Sequence, residues 1–370
     1  MKAKLTKLSV SGFKSICALD NFKLNKINIL IGSNGAGKSN FISFFHLMNW
    51  MMASPGNLQE YILQLGGANA VLFDGAQTTE SIKAELNIET KLGENNYFFR
   101  LAHGGGDVLR IMEERYRYSR FDFPSPADWT TLGAGHSEAE IINAAKTDKT
   151  ANTILSLLRG CVVHQFHNTS RTSRMRGKWD KEDNLWLKED GANIAAFLLK
   201  LKSREPKYYW RIVETIRLIL PFFADFDLVD EYGKILLRWR ELNTDVVFNA
   251  GQASDGMLRV IALVALLGQP EQRLPDVLIL DEPELGLHPY AIEIISGMLR
   301  SVSQFSQIVI ATQSASLVNY FDPEDIVVVD RDKRKSDFRR LDSSQLREWL
   351  VDYSMAELWE KNLIGGRPAR

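Results

Sequence analysis

The sequence predicts an α/β fold: a mixed central sheet with helices on both faces, plus an antiparallel side sheet and a helical insertion. Three observations lead there. A short buried run, Ile27 to Ile31, ends in a glycine loop, and a helical pattern starts at Lys38. From Asp255 onward helical and strand patterns alternate, which builds a parallel sheet covered by helices. Between them, Ser81 to Tyr118 alternates apolar and polar residues as antiparallel strands do.

The elements follow in chain order. Residues 4–16 alternate as a strand, and Ser81 to Tyr118 divides into three strands with turns at 93–96 and 103–106, so that together they make the side sheet. Phe121 to Thr150 carries Asp-Phe-Pro-Ser-Pro-Ala-Asp, a polar glycine-rich stretch and a short helical pattern, and is read as an insertion. Cys161 to Phe166 is a strand and Asn168 to Lys181 a basic polar loop. Gly191 to Leu201 and Pro206 to Leu220 are amphipathic helices, the second with proline in its first turn, where a missing N–H costs nothing. Strands near Lys234 to Trp239 and Thr244 to Phe248 precede the alternating segment, whose strands are expected at Val277 to Leu280, Gln307 to Ala311 and Asp325 to Val329. Ala356 to Ile364 reads as a closing amphipathic helix presenting Leu358, Trp359 and Leu363. These boundaries divide the chain into an N-terminal half of the core (1–120), an insertion with a helical subdomain (121–232) and a C-terminal half (233–370).

Composition narrows the function classes. In 370 residues, 45% hydrophobic and 25% charged, there is enough apolar surface for a sizeable core. Lys plus Arg total 45 against 46 for Asp plus Glu, so net charge draws the chain to neither nucleic acid nor membrane. Two cysteines exclude a disulfide framework and suit a reducing cytoplasm. The first seven residues hold no apolar signal core, and no apolar run is long enough to span a bilayer. A soluble cytoplasmic protein is expected.

The chemistry is carried by three segments. Gly32-Ser33-Asn34-Gly35-Ala36-Gly37-Lys38-Ser39 fits the P-loop pattern at every position, between a buried strand and a helix. Its backbone N–H groups would wrap phosphates, Lys38 would reach the β and γ oxygens of ATP, and the Ser39 hydroxyl would ligate Mg2+. Val277-Leu278-Ile279-Leu280-Asp281-Glu282 is an apolar strand ending in two carboxylates, the pattern of a Walker B segment. There Asp281 would hold magnesium while Glu282 orients and deprotonates the attacking water. Ser254-Asp255-Gly256 opens a helix, where Ser254 or Asp255 would make a good N-cap; the sharper reading is that the serine hydroxyl and glycine N–H groups would form a second anion site aimed at the γ-phosphate held by another subunit.

With these segments in hand, the chain resembles the ABC-type P-loop ATPases of the SMC, RecF and OLD group. The likeness also rests on Gly12-Phe13-Lys14-Ser15, on the Asn34 and Asn40 flanks of the P-loop, and on Pro283-Glu284-Leu285-Gly286-Leu287-His288-Pro289. In detail it resembles the short stand-alone AAA_21 ATPases, through Asp190-Gly191-Ala192-Asn193 and Glu357-Leu358-Trp359-Glu360-Lys361-Asn362 before Gly365-Gly366-Arg367-Pro368. The resemblance implies an ATP-sandwich homodimer that controls a separately encoded nuclease or toxin, in bacterial antiphage defence. The rival readings are a RecF-like repair clamp that binds DNA and a scaffold that binds ATP without hydrolysis.

The chain departs from that pattern in places. Asp255 stands where transporter-type heads have glycine, and Gln313 stands where such ATPases carry a switch histidine. Glutamine hydrogen-bonds a γ-phosphate but cannot become charged, so slow hydrolysis is expected. For the magnesium-sensing glutamine, Gln165 is the first choice and Gln77 the second. Cys161, His164 and His167 have spacing that strand geometry splits between two faces, which argues against zinc. Arg171, Arg174, Arg176, Lys178 and Lys181, with Trp179 among them, read as a solvated loop before a nucleic-acid contact. Asp330-Arg331-Asp332 imitates the nuclease D-x-D, but too little chain follows for that fold, and a turn between two strands is expected.

Overall fold

The computed structural model describes residues 3–123 and 125–366. Met1, Lys2 and Pro124, and the Arg367-Pro368 of the closing motif, lie outside the described residues. Two six-stranded sheets dominate. The central sheet runs in the order Lys335–Arg340, Ile326–Asp332, Ile27–Ile31, Gln307–Thr312, Val277–Asp281, Cys161–His164. Its pairs are parallel except the first, where Ile326–Asp332 and Lys335–Arg340 form a hairpin. The side sheet, antiparallel throughout, runs Ile16–Lys23, Lys4–Phe13, Ser81–Glu89, Gly93–Gly104, Val108–Arg120, Thr130–Gly133.

Strand alternation sends the central sheet's side chains into two cores. Leu30, Ile279, Val309 and Val327 face the side sheet and the helix Lys38–Ala53. Ile29, Leu280, Ile310 and Val328 face the helices Ile194–Arg204, Pro206–Ile219, Asp255–Gly268 and Pro289–Val302. Gln307 ties the two sheets together: its Oε1 accepts from Leu5 N at 2.8 Å, and its Nε2 donates to Leu5 O at 2.8 Å. The insertion is anchored by buried Glu114, which accepts from Tyr97 Oη at 2.8 Å and from the N–H groups of Glu140 and Ile141 at 2.8 and 3.1 Å.

Several element boundaries differ from expectation. The single strand expected over 4–16 is a hairpin, because Gly12 at φ +75° and Lys14 at φ +48° turn the chain back. Gly93-Glu94-Asn95-Asn96 is strand, and the reversal sits at 90–92, closed by Thr90 N to Gly93 O at 2.8 Å. The insertion contributes the strand Thr130–Gly133 to the side sheet as well as the helices Ile141–Ala144 and Lys149–Arg159. The closing helix is shorter, Met355–Glu360; it buries Leu358 and Trp359 and leaves Leu363 exposed. Among the described residues no helix is long and apolar enough to cross a membrane.

Candidate active site

Four parallel strands end side by side, at Ile31, Thr312, Asp281 and His164, and each delivers its loop to the same rim of the sheet. From Ile31 the chain enters the P-loop, where Gly35 at φ +78° and Gly37 at φ +120° adopt backbone that L side chains rarely reach. The Cβ that any other residue would place at 32 meets Val329 O at 2.2 Å, so the neighbouring strand itself demands glycine. Lys38 is buried, and its Nζ donates to Gly32 O at 2.6 Å and Ser33 O at 3.1 Å, folded under the loop it serves. Burial lowers its pKa, and the charges of Glu282, Asp281 and Glu284 pull it back up.

The loop is braced from outside. Ser336 Oγ donates to Ala36 O at 2.6 Å and lies 2.7 Å from Ser15 Oγ, which accepts from Asn40 Nδ2 at 2.6 Å. Arg331 Nη1 donates to Gly35 O at 2.9 Å. Asn34, Gly35 and Ser39 remain exposed at the rim.

At the neighbouring strand ends, Asp281 Oδ2 accepts from Gln165 Nε2 at 3.2 Å, and its backbone O lies 2.8 Å from His167 Nε2. Burial raises the Asp281 pKa, opposed by His167, by Lys38 and by the Gln165 hydrogen bond. Glu282 is held at φ +41°, unusual for a residue with a side chain, by its N–H to Ala311 O at 2.8 Å. Gln313 Nε2 donates to Glu282 Oε1. Thr312 Oγ1 donates to Glu284 Oε1 at 2.5 Å and accepts from Ser314 N at 2.9 Å, and burial raises the Glu284 pKa. The Ser39 hydroxyl, the Asp281 carboxylate and the amide oxygen of Gln165 would offer oxygen donors of the kind that suits magnesium.

The helix Asp255–Gly268 carries the remaining segment at its start. Ser254 is the N-cap, its Oγ accepting from Met257 N at 3.2 Å, and Ser254 and Asp255 are exposed. Among the described residues no hydrogen bond joins 254–256 to 32–40. The segment instead packs on the turn after Glu282, where Gly286 O would lie 3.0 Å from a Cβ added at Gly256. Arg259 donates to Leu285 O at 2.9 Å, His167 O at 3.0 Å and Phe166 O at 3.2 Å, joining this helix to both metal-side loops.

Of the two glutamines considered for magnesium, Gln165 reaches Asp281, whereas Gln77 is exposed in a turn before the side sheet. Cys161 lies in the core beneath the P-loop helix, while His164 packs against Phe166 on the opposite face at 5.8 Å between ring centroids. The basic loop is largely solvent-exposed, as expected, and four of its five basic residues are also ion-paired within the chain: Arg174 with Asp190, Arg176 with Asp255, Lys178 with Glu231 and Lys181 with Asp230, at 2.5–3.0 Å. Asp330 and Asp332 lie on the hairpin expected there, Asp330 accepting from Gly366 N at 2.8 Å. Sequence reasoning missed Arg331 and Ser336 as P-loop braces. Their only signal was the hairpin's charged turn, and nothing local says which loop a hairpin leans on.

A family model described as "AAA domain, putative AbiEii toxin, Type IV TA system" matches residues 27–319. Among solved structures, the chain is similar to an SMC head bound to the C-terminal winged-helix domain of ScpA, with 13% identity over 93% of this chain and 99% of that one, at a TM-score of 0.62. It is also similar to an Smc head with an extended coiled coil, bound to the C-terminal domain of ScpA derived from Pyrococcus furiosus. There the identity is 14% over 95% of this chain and 99% of that one, and the TM-score is 0.60. At these identities the likeness is one of fold.

Proposed function

Because the chain belongs to the AAA_21 family and has the fold of an SMC-type ATPase head, we propose that it binds ATP with magnesium, hydrolyses it slowly and closes as a head-to-tail homodimer with two ATPs at the seam. The observation that carries this reading is the convergence, from four strand ends, of Gln165 on Asp281 and Gln313 on Glu282 beside the P-loop lysine. The N–H groups of residues 33–39 cradle the phosphates, and Lys38 leaves the carbonyls of Gly32 and Ser33 for the β and γ oxygens. Asp281, Ser39 and Gln165 would hold magnesium, which would supply charge neutralisation for the triphosphate. Glu282 orients the attacking water and takes its proton. Gln313 fixes the Glu282 carboxylate and donates to the γ-phosphate without acquiring charge, which keeps turnover slow.

Each head covers one side of its own nucleotide. Ser254 and Gly256 sit away from the P-loop of their own chain and are exposed or half-buried, so they meet the γ-phosphate bound by a second copy. Nucleotide occupancy and dimerisation are then linked equilibria. The dimer is the signal that a separately encoded effector reads, a nuclease or toxin in bacterial antiphage defence, in keeping with the toxin–antitoxin description of the family. A DNA contact through the basic loop is the less favoured reading, because Arg174, Lys178 and Lys181 already pair with carboxylates of the same chain.

The test uses Glu282→Gln. Steady-state phosphate release is expected to fall at least about 100-fold while ATP binding survives. With ATP and magnesium the variant should elute as a dimer in light scattering, and the tagged protein should copurify its effector from its own operon. A variant that binds ATP yet stays monomeric at micromolar concentration would overturn the sandwich.

A further inference from the structure

We infer that Arg176 is a positioning residue of the trans lid: it holds the Ser254–Gly256 turn in shape and cancels the negative charge that Asp255 would otherwise present to the partner's triphosphate. The inference rests on the dimer reading above and assigns a role to the one basic-loop residue that does not face outward.

The geometry is specific. Arg176 is 11% exposed, against 60% for the Asp255 side chain. Its Nε donates to Thr169 O at 2.9 Å; its Nη1 donates to Ala253 O at 3.0 Å and to Ala250 O; its Nη2 donates to Asp255 Oδ1 at 3.0 Å. Three of the four partners are backbone carbonyls, Ala250 and Ala253 in the turn that leads into the lid and Thr169 in the basic loop, so the guanidinium stays in place whether or not Asp255 does. A planar fork with several donors suits that task, where a lysine would meet one partner at a time.

The charge argument follows from position. Asp255 is the first residue of its helix, directly beside the Ser254 hydroxyl and the Gly256 N–H proposed to receive a γ-phosphate. A carboxylate there is favourable to the helix dipole of the isolated head, yet it repels an arriving polyanion. With Arg176 fixed against it, the pair is neutral and the N–H groups of the helix start can act on the phosphate. Heads with glycine at this position have no such charge to cancel, so Arg176 and Asp255 form one device.

The test is second-site rescue in the full-length Glu282→Gln chain with ATP and magnesium, read as the monomer–dimer Kd by sedimentation. Arg176→Ala should weaken dimerisation at least about tenfold, while fluorescent-ATP affinity of the isolated head stays within twofold. Adding Asp255→Asn to Arg176→Ala should restore most of the loss, and raising salt from 50 to 500 mM should shrink the single variant's defect, because repulsion between exposed charges is screened. Unchanged dimerisation in Arg176→Ala would overturn the inference. So would a defect that neither Asp255→Asn nor salt relieves, which would leave Arg176 a backbone staple. Should Arg176→Ala fail to fold, Arg176→Lys serves: it keeps the charge, so tenfold weakening that Asp255→Asn does not relieve would also count against the role. A Glu282→Gln parent that never dimerises would sink the dimer reading first, and this inference with it.

Discussion

At the scale of single residues, the site works through pairs that come from different strands. Gln313 donates to Glu282, and the strained backbone at Glu282 is kept by one hydrogen bond to Ala311. Gln313→Ala is therefore expected to lower kcat by about 10- to 100-fold with little change in KM for ATP, measured by coupled phosphate release, because it removes alignment and not ground-state binding. Buried His164, next to Gln165, sets a pH limit on stability. Burial depresses His164 from 6.5 to about 4, so the unfolded chain takes up a proton first; the stability His164 contributes is present above pH 6.5 and lost as pH falls through 4. Relative to its own stability at pH 7, His164→Gln should lose less than the parent on going to pH 4, by on the order of 2–3 kcal/mol, in urea melts at each pH. Both motif carboxylates were legible from sequence, as were the P-loop lysine and serine, since their meaning depends on neighbours within a few residues.

At the scale of elements, the P-loop takes its shape from the hairpin beside it as much as from its own glycines. A Cβ at Gly37 would lie 1.9 Å from Ser336 Oγ, and the backbone there, at φ +120°, is strained for any residue with a side chain. Gly37→Ala should cost at least about 2 kcal/mol and remove nucleotide binding. Adding Ser336→Ala removes only the nearest clash and leaves Ser336 Cβ at 2.8 Å, Ser15 Oγ at 2.9 Å and the strained backbone, so the double variant should stay destabilised in thermal melts. Ser336→Ala alone loses the bonds to Ala36 O and Ser15 Oγ and should cost about 1–3 kcal/mol. The element types were readable because hydrophobic period depends on the local chain. The hairpin inside residues 4–16 was not, since Ser9 to Ile16 keeps an alternating pattern across the turn and only the left-handed backbone at Gly12 and Lys14 betrays it.

At the scale of the whole molecule, ATP should act as a stabiliser that depends on protein concentration. In the Glu282→Gln variant with ATP and magnesium, Tm is expected to rise by a few degrees for each tenfold increase in protein, and to be independent of concentration without nucleotide, because only the liganded dimer is coupled by mass action. The sequence by itself determined the sheet class, the glycine loop between strand and helix and the buried strand that ends in two carboxylates, because backbone freedom and strand period are local properties written into consecutive residues. Only the tertiary structure decided that Gln165 meets Asp281, that Arg331 and Ser336 brace the P-loop, and that the basic loop's charges are matched by Asp190, Glu231, Asp230 and Asp255. Those partners lie tens to hundreds of residues apart in most cases, and the pairing of distant charges and hydrogen bonds depends on how strands are ordered in the sheet, which no local pattern encodes.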